Sequence, residues 1–138
     1  MRVFLDTNVL VGAAAPRGLC ADVLREILVS HQLIVSVPLI AEIKDVLQTK
    51  IGIPQEIISD FLEVVTQDSI LSENIKLTNI EIDDKDDIPI LSTALNGDAE
   101  LFVTVDKELL DLERIQSMRI VSPRKFWETL RTQPSDEH

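Results

Sequence analysis

Apolar residues follow two patterns along the chain: short continuous runs, and longer stretches in which they recur with helical spacing. The short runs predict strands over residues 2–5, 33–37, 101–105 and 119–121, with weaker strand signals near 69–71 and 77–80. The helical spacing predicts helices over 19–30, 39–50, 57–65 and 87–96, a short turn or helix from 106 to 114, and a final helix after Ser122-Pro123. The Asp-Thr-Asn cluster after the first strand is typical of a turn.

Strands that alternate with helices over short connections predict an α/β domain with a mostly parallel central sheet. The chain has 138 residues, which suits one domain and leaves no room for a second core. We expect that domain to occupy residues 1–132, and residues 133–138 to form a disordered tail.

Composition narrows the class of protein further. Apolar residues make up 45% of the chain without a run long enough for a membrane span, so we expect a cytoplasmic protein that contacts no membrane. The lone Cys20 cannot form an internal disulfide, and two distant histidines cannot build a Cys/His zinc site. The net charge of −11 argues against phosphate-driven duplex binding, and 4% aromatic residues supply few platforms for base stacking.

Four acidic residues fall where the predicted fold would bring them to one end of the sheet. Asp6 and Asp106 directly follow predicted strands, Glu42 lies about one turn into the helix after the second strand, and Asp87 opens the helix before the strand at 101–105. Ligands of open α/β sheets bind beyond the carboxyl ends of the strands. Carboxylates gathered there would repel one another unless cations neutralised them. Oxygen-only ligands favour Mg²⁺ or Mn²⁺ over Zn²⁺, and such sites commonly support phosphoryl chemistry.

Each acid also has an ordinary structural explanation when it is considered alone. Asp6 suits an Asx-turn, Asp106 suits a loop, and Glu42 lies at the border of its helix's apolar stripe, where solvated glutamates are common. Acids at 83–87 could complement a helix N-terminus. Asp87 fits this explanation least, because it lies four residues before Leu91 and therefore on the apolar stripe.

Four segments, in order, resemble the PIN-domain nuclease family: LDTNVLVGAAAPRG, VPLIAEIKDVL with its buried glutamate, DDKDDIPIL and LFVTVDKELL. The resemblance extends from Met1 to about Trp127, and the closing segment IVSPRKFWETL is similar to VapC-like toxins of prokaryotic type II toxin–antitoxin pairs. It implies a three-layer α/β/α sandwich and a Mg²⁺- or Mn²⁺-dependent endoribonuclease that hydrolyses RNA phosphodiesters. It also implies a small antitoxin protein as partner and, as in many such toxins, a homodimer.

The resemblance assigns roles to individual residues. Its acidic quartet, expected to be catalytic and to hold the metal, corresponds to Asp6, Glu42, Asp87 and Asp106. The supporting positions, two that orient the acids or the water and one outer metal ligand, correspond to Asn8, Thr104 and Glu108.

One departure from the family pattern concerns the third acid. Many members have Asp-Asn there, whereas Asp87 is followed by Ile88-Pro89, although a proline still suits a first helical turn. Basic residues close in sequence to the motifs are candidate contacts for substrate phosphates: Arg17, Lys44, Lys85 and Lys107.

Two other kinds of function remain open on the residues alone. A Mg²⁺-binding phosphoacceptor domain of the receiver type also clusters aspartates and has a Thr after a strand, but such domains generally pair two acids after the first strand, where this chain has Asp6 alone. A non-catalytic interaction module would use the acids for a structural metal, or for none, and dock a protein partner.

Overall fold

The computed structural model describes residues 1–73 and 87–132. Strands and helices alternate through both ranges, in the order β1 (Arg2–Leu5), α1 (Thr7–Ala13), α2 (Leu19–Ser30), β2 (Gln32–Val35), α3 (Val37–Asp45), α4 (Gln55–Thr66), β3 (Ile70–Leu71), α5 (Ile88–Asn96), β4 (Leu101–Val103), α6 (Lys107–Leu112), β5 (Arg114–Ile115), β6 (Met118–Val121) and α7 (Pro123–Thr132). A π-helical segment, Val46–Ile51, extends α3 and ends at Gly52, whose φ of 79° is a left-handed conformation that glycine adopts without strain.

The described strands form one sheet in the order β3-β2-β1-β4-β6-β5, and among their pairs only β5–β6 is antiparallel. The chain leaves β1 toward β2 and β3, then returns past β1 to β4 and β6. Right-handed crossovers therefore place α1–α4 on one face of the sheet and α5 and α6 on the other, and α7 packs against α2 on the first face. This arrangement confirms the predicted α/β fold, a three-layer α/β/α sandwich with a mostly parallel central sheet.

The register between β1 and β4 determines which residues meet at the carboxyl edge of the sheet. Phe4 pairs with Phe102, both side chains are fully buried, and their rings stack at a centroid distance of 5.3 Å. Stacked aromatic pairs stabilise beyond their buried area, so this contact holds the two central strands in register. Leu5 then lies opposite Val103, and the next residues along the chain, Asp6 and Thr104, emerge side by side.

Several predicted elements differ in detail. The Asp-Thr-Asn cluster predicted as a turn instead opens the helix α1, in which Val9 and Leu10 are fully buried. The two-residue strand β5 was not predicted, and β2 and β4 end at Val35 and Val103, two residues earlier than their apolar runs. The strand signal at 77–80 and the tail at 133–138 lie outside the described residues. Among the described helices, none is long and apolar enough to cross a membrane.

Candidate active site

Asp6 lies at the topological switch point of the sheet, where the order in which the chain adds strands reverses. It follows β1, the strand whose neighbours β2 and β4 are reached by crossovers on opposite faces, and such switch points form the ligand crevice of open α/β sheets. Its backbone N–H donates to the carbonyl of Val103 at 2.9 Å, which continues the β1–β4 ladder. Its side chain caps α1, because Oδ1 accepts from the N–H of Thr7 at 2.8 Å.

Thr104 connects the two aspartates that follow the central strands. Its side chain is fully buried, and its Oγ1 donates to Asp6 Oδ2 at 2.7 Å. The same oxygen accepts from the N–H of Asp106 at 3.0 Å. Asp106 in turn caps α6, with Oδ1 accepting from the N–H of Glu108 at 2.9 Å. One buried hydroxyl therefore fixes Asp6 and the backbone of Asp106 with respect to each other.

Glu42 reaches the same edge from α3, and its partner was not anticipated from the sequence. The Oγ1 of Thr7, a buried residue, donates to Glu42 Oε1 at 2.9 Å. Residue 42 as a whole is exposed, which differs from the buried glutamate expected in VPLIAEIKDVL. Its helix begins at a serine cap, since Ser36 Oγ accepts from the N–H of Leu39 at 3.2 Å. That cap directs the first turns of α3 along the carboxyl edge.

The electrostatics of Asp6 differ from those of an ordinary capping residue. Burial raises the pKa of the Asp6 carboxyl, the hydrogen bonds from Thr104 and Thr7 lower it, and the negative charges of Asp106 and Glu42 raise it again. The net pKa lies above the ordinary 3.8. A cap alone needs neither burial nor two neighbouring carboxylates, so capping does not account for the whole arrangement.

The donor chemistry suits a hard divalent cation. Three carboxylates, Asp6, Glu42 and Asp106, lie within electrostatic reach, and among the described side chains none of them pairs with Lys or Arg. A bound cation would favour the ionised form of Asp6 and so oppose the increase in its pKa that burial and the neighbouring carboxylates cause. As the side chains stand, no three acidic, Cys or His groups within 1–73 and 87–132 are close enough to hold a metal ion together. Asp106 and Glu42 are exposed, so a change of rotamer is sterically open to both.

Asp87 lies at the N-terminus of α5, two residues before Pro89, which lines a cleft between α3 and α5. It is half-buried and directly precedes α5, which begins with Ile88-Pro89 as the first-turn proline suggests. The cleft has a volume of about 270 Å³, and its lining includes Glu42 from α3 and Pro89 and Thr93 from α5. The first turn of α5 and the face of α3 that carries Glu42 therefore line the same cleft.

The structure separates the remaining predicted residues. Glu108 is half-buried, and its backbone N–H donates to Asp106. Asn8 is exposed on α1, and its side chain makes no hydrogen bond within the described part of the chain. Lys107 is exposed and pairs with Asp111 at 3.5 Å. Arg17 is exposed in the connection between α1 and α2, and Lys85 lies outside the described residues.

Lys44 does not share the face of α3 that carries Glu42. Two residues along a helix correspond to a rotation of about 200°. Lys44 instead lines a separate apolar groove with Val37, Ile40 and Leu71. Sequence proximity to Glu42 was therefore a poor guide to its position.

Comparison with known proteins agrees with this geometry. A family model described as PIN domain matches residues 2–108, which is most of the chain and includes all four predicted acids. The chain belongs to the PIN-domain family. PIN domains are nucleases, so the family match supports a nuclease and disfavours a phosphoacceptor function. No curated protein matches the sequence.

A solved structure has a similar fold. It is described as the crystal structure of VapBC2 from Rickettsia felis bound to a DNA fragment from their promoter. The TM-score is 0.60 and the sequence identity 18%, over 88% of this chain and 98% of the other. The likeness at this identity concerns the fold, and it extends the PIN architecture beyond the residues that the family model matches.

Proposed function

We propose that this PIN domain is a metal-dependent endoribonuclease that hydrolyses RNA phosphodiesters at the carboxyl edge of its sheet. The observation that carries the proposal is the contact between Asp6 and Thr104, which holds a half-buried carboxylate with a raised pKa within electrostatic reach of Asp106 and Glu42. A domain that only docked a partner would have no need for like charges in a half-buried cleft.

In this proposal Asp6 and Asp106 hold Mg²⁺ or Mn²⁺ directly, and Glu42 and Asp87 complete the site. When bound, such an ion lowers the pKa of water and stabilises negative charge on a phosphate. Thr104 and Thr7 act as positioning residues: each donates a hydrogen bond to one carboxylate oxygen and so restricts its rotamer. Protonation of Asp6 competes with its role as a ligand, so binding of the metal to the metal-free protein weakens as the pH falls through the raised pKa of Asp6.

We also propose a biological role for the nuclease. The similar fold comes from a structure of VapBC2, and the closing segment resembles VapC-like toxins, so we infer a cytoplasmic toxin with a small antitoxin protein as partner and a homodimeric state. Size-exclusion chromatography with light scattering tests the dimer, and co-expression with the product of the adjacent gene tests the antitoxin. A monomer that binds no such product would contradict this role while leaving nuclease chemistry intact.

The nuclease proposal is tested by incubating purified protein with a mixed RNA pool in Mn²⁺ and in EDTA. The matching variant is Asp6→Asn/Asp106→Asn, and the control is Asp60→Asn/Asp68→Asn, which removes the same charge from exposed positions on and after α4. We expect cleavage by the wild type and the control in Mn²⁺ only, and none by the site variant. Equal cleavage by the folded site variant would contradict the proposal. An inert wild type would favour a non-catalytic interaction module.

A further inference from the structure

The segment 114–127 has an unusual charge for this protein. It contains four basic residues and no acidic one, in a chain whose net charge is −11. The segment covers β5, β6 and the start of α7, and it lies beyond residue 108, where the match to the family model ends. A phosphate-bearing substrate of an acidic protein needs a local source of positive charge, and this segment contains one.

Strand pairing brings two of the basic residues together. In the antiparallel β5–β6 pair, Arg114 is directly opposite Arg119. Like charges at opposed positions of a β-ladder are destabilising, so this pair is not explained by the stability of the hairpin. Among the described side chains, neither arginine forms an ion pair that would relieve the repulsion.

Both arginines line an open groove of about 430 Å³, which we call the basic groove. Lys125 of α7 lines it as well. Among the described residues of its lining, Glu113 is the one carboxylate, so these residues carry a net charge of +2 from three cations and one anion. All three cationic side chains are exposed. The groove therefore presents uncompensated positive charge to solvent, which is the electrostatic requirement for a phosphate-bearing ligand.

The basic groove begins beside the candidate active site. Val103 pairs with Val121, and the N–H of Thr104 donates to the carbonyl of Val121 at 3.0 Å. Ser122, which lines the groove, is therefore next to Thr104, at a strand spacing of about 4.8 Å. From Ser122 back to Arg119 along β6 is a further distance of about 10 Å.

We propose that the basic groove binds the phosphate backbone of the RNA strand that is cleaved at the acidic edge; this inference rests on the proposed nuclease function. Three cations over such a short path suit a few successive phosphates of a single strand, whereas a duplex demands a wider basic footprint. An acidic protein segment would also find positive charge here. The continuity with Thr104 and Asp6 favours a ligand that must reach the carboxylates.

The test measures binding of a short fluorescein-labelled single-stranded RNA of mixed sequence by fluorescence anisotropy in EDTA, as a function of salt. The site variant is Arg114→Gln/Arg119→Gln. The matched control is Lys50→Gln/Arg124→Gln, which removes two exposed positive charges that do not line the groove. Lys125→Gln, on a different element, is the second variant if the hairpin variant fails to fold.

Loss of two phosphate contacts should reduce the slope of log K against log salt by about 1.4, which corresponds to affinity about 60-fold weaker at about 50 mM salt and about 10-fold weaker at about 200 mM. Lys125→Gln should reduce the slope by about 0.7, and the control should leave it unchanged. Wild-type affinity and slope in the folded groove variants would overturn the basic groove while leaving the nuclease intact. A wild type that binds a poly-glutamate peptide but no RNA would also overturn it, and the metal-dependent cleavage assay would judge the nuclease separately.

Discussion

At the amino-terminal end of the sheet Arg2 has several hydrogen-bond and ion-pair acceptors around it. At the carboxyl end Asp6 is within electrostatic reach of two further carboxylates, Asp106 and Glu42, and none of the three forms an ion pair among the described side chains. The backbone N–H of Arg2 donates to Glu100 Oε1 at 2.9 Å, its Nη1 donates to the carbonyl of Gly97 at 2.9 Å, and the same nitrogen is 3.8 Å from Asp98. At the amino-terminal end the charge of Arg2 is compensated, and its contacts connect β1 to the segment between α5 and β4. At the carboxyl end the negative charges of the carboxylates are not compensated among the described side chains. Their repulsion opposes folding, and a bound cation would remove it.

The largest expected effect is on activity and comes from Asp106→Asn. Asn caps a helix about as well as Asp, so the fold of α6 should be retained while a metal-binding oxygen is replaced by an amide. We expect cleavage in Mn²⁺ to fall by about a thousandfold, equivalent to about 4 kcal/mol in the activation barrier. The control is Asp111→Asn, which removes one charge from the same helix and breaks only the exposed pair with Lys107. Cleavage by Asp106→Asn within threefold of wild type would contradict the role assigned to Asp106.

For Thr104→Val we expect a smaller loss of cleavage together with a loss of stability. The change keeps the shape of a fully buried side chain but leaves Asp6 Oδ2 and the Asp106 N–H without their partner. We expect a loss of about 1–3 kcal/mol in the free energy of unfolding by urea denaturation. Cleavage should fall by about 10–100-fold, as for other residues that orient a metal ligand. Thr104→Ser, which retains the hydroxyl, should recover most of both quantities. Recovery of neither would contradict the assignment of these losses to the hydroxyl alone.

At the amino-terminal end Arg2→Gln should affect stability and leave chemistry alone. It removes the side-chain hydrogen bond to Gly97 and the pair with Asp98, but not the backbone bond to Glu100. Because Asp98 is largely exposed, the pair contributes little and the expected loss is about 1 kcal/mol. Thermal unfolding and RNA cleavage measured on the same preparation test the contrast between the two ends. A tenfold loss of cleavage with unchanged stability would mean that the ends are not functionally distinct.

The smallest expected effect is a gain in stability for Asp6→Asn. The substitution removes the cost of burying a charge, but the neutral amide accepts weaker hydrogen bonds from Thr104 and Thr7, which offsets part of that gain. Below pH 3.8 the carboxyl is protonated in both the unfolded and the folded state, so the substitution should change little. As pH rises, the unfolded state loses its proton first, because the folded pKa is raised, and wild-type stability falls relative to the variant until the folded pKa is passed. Urea denaturation at pH 3.5 and pH 7.5 measures the difference. A variant less stable than wild type at pH 7.5, yet equal at pH 3.5, would contradict the direction of the pKa shift.

Most of the layer architecture could be predicted because its signals are local. The helix Leu19–Ser30 was predicted with its observed bounds, and the final helix after Ser122-Pro123 begins where expected. The helix α1 was missed because Asp, Thr and Asn favour turns in isolation, and only the burial of Val9 and Leu10 against the sheet makes this short segment helical.

The site could be predicted in part, for a related reason. Asp6 and Asp106 follow strong strand signals, so their place at the sheet edge follows from the strand pattern alone. The contacts of Thr7 with Glu42 and of Arg114 with Arg119 depend on how α1 meets α3 and on the register of a two-residue strand, which no local pattern specifies. The absence of acids from 114–127 was a visible signal for the basic groove, whereas proximity to the acidic motifs directed attention to Lys44, which lies on another face.

The proposed mechanism depends on a metal site formed by the uncompensated carboxylates at the carboxyl edge. Titration calorimetry with Mn²⁺ on the wild type, Asp6→Asn and Arg2→Gln at neutral pH tests it most directly, because it requires no substrate. We expect binding to the wild type and to Arg2→Gln with the same stoichiometry, and loss of binding in the folded Asp6→Asn variant. Mn²⁺ binding to Asp6→Asn with wild-type affinity and stoichiometry would contradict it.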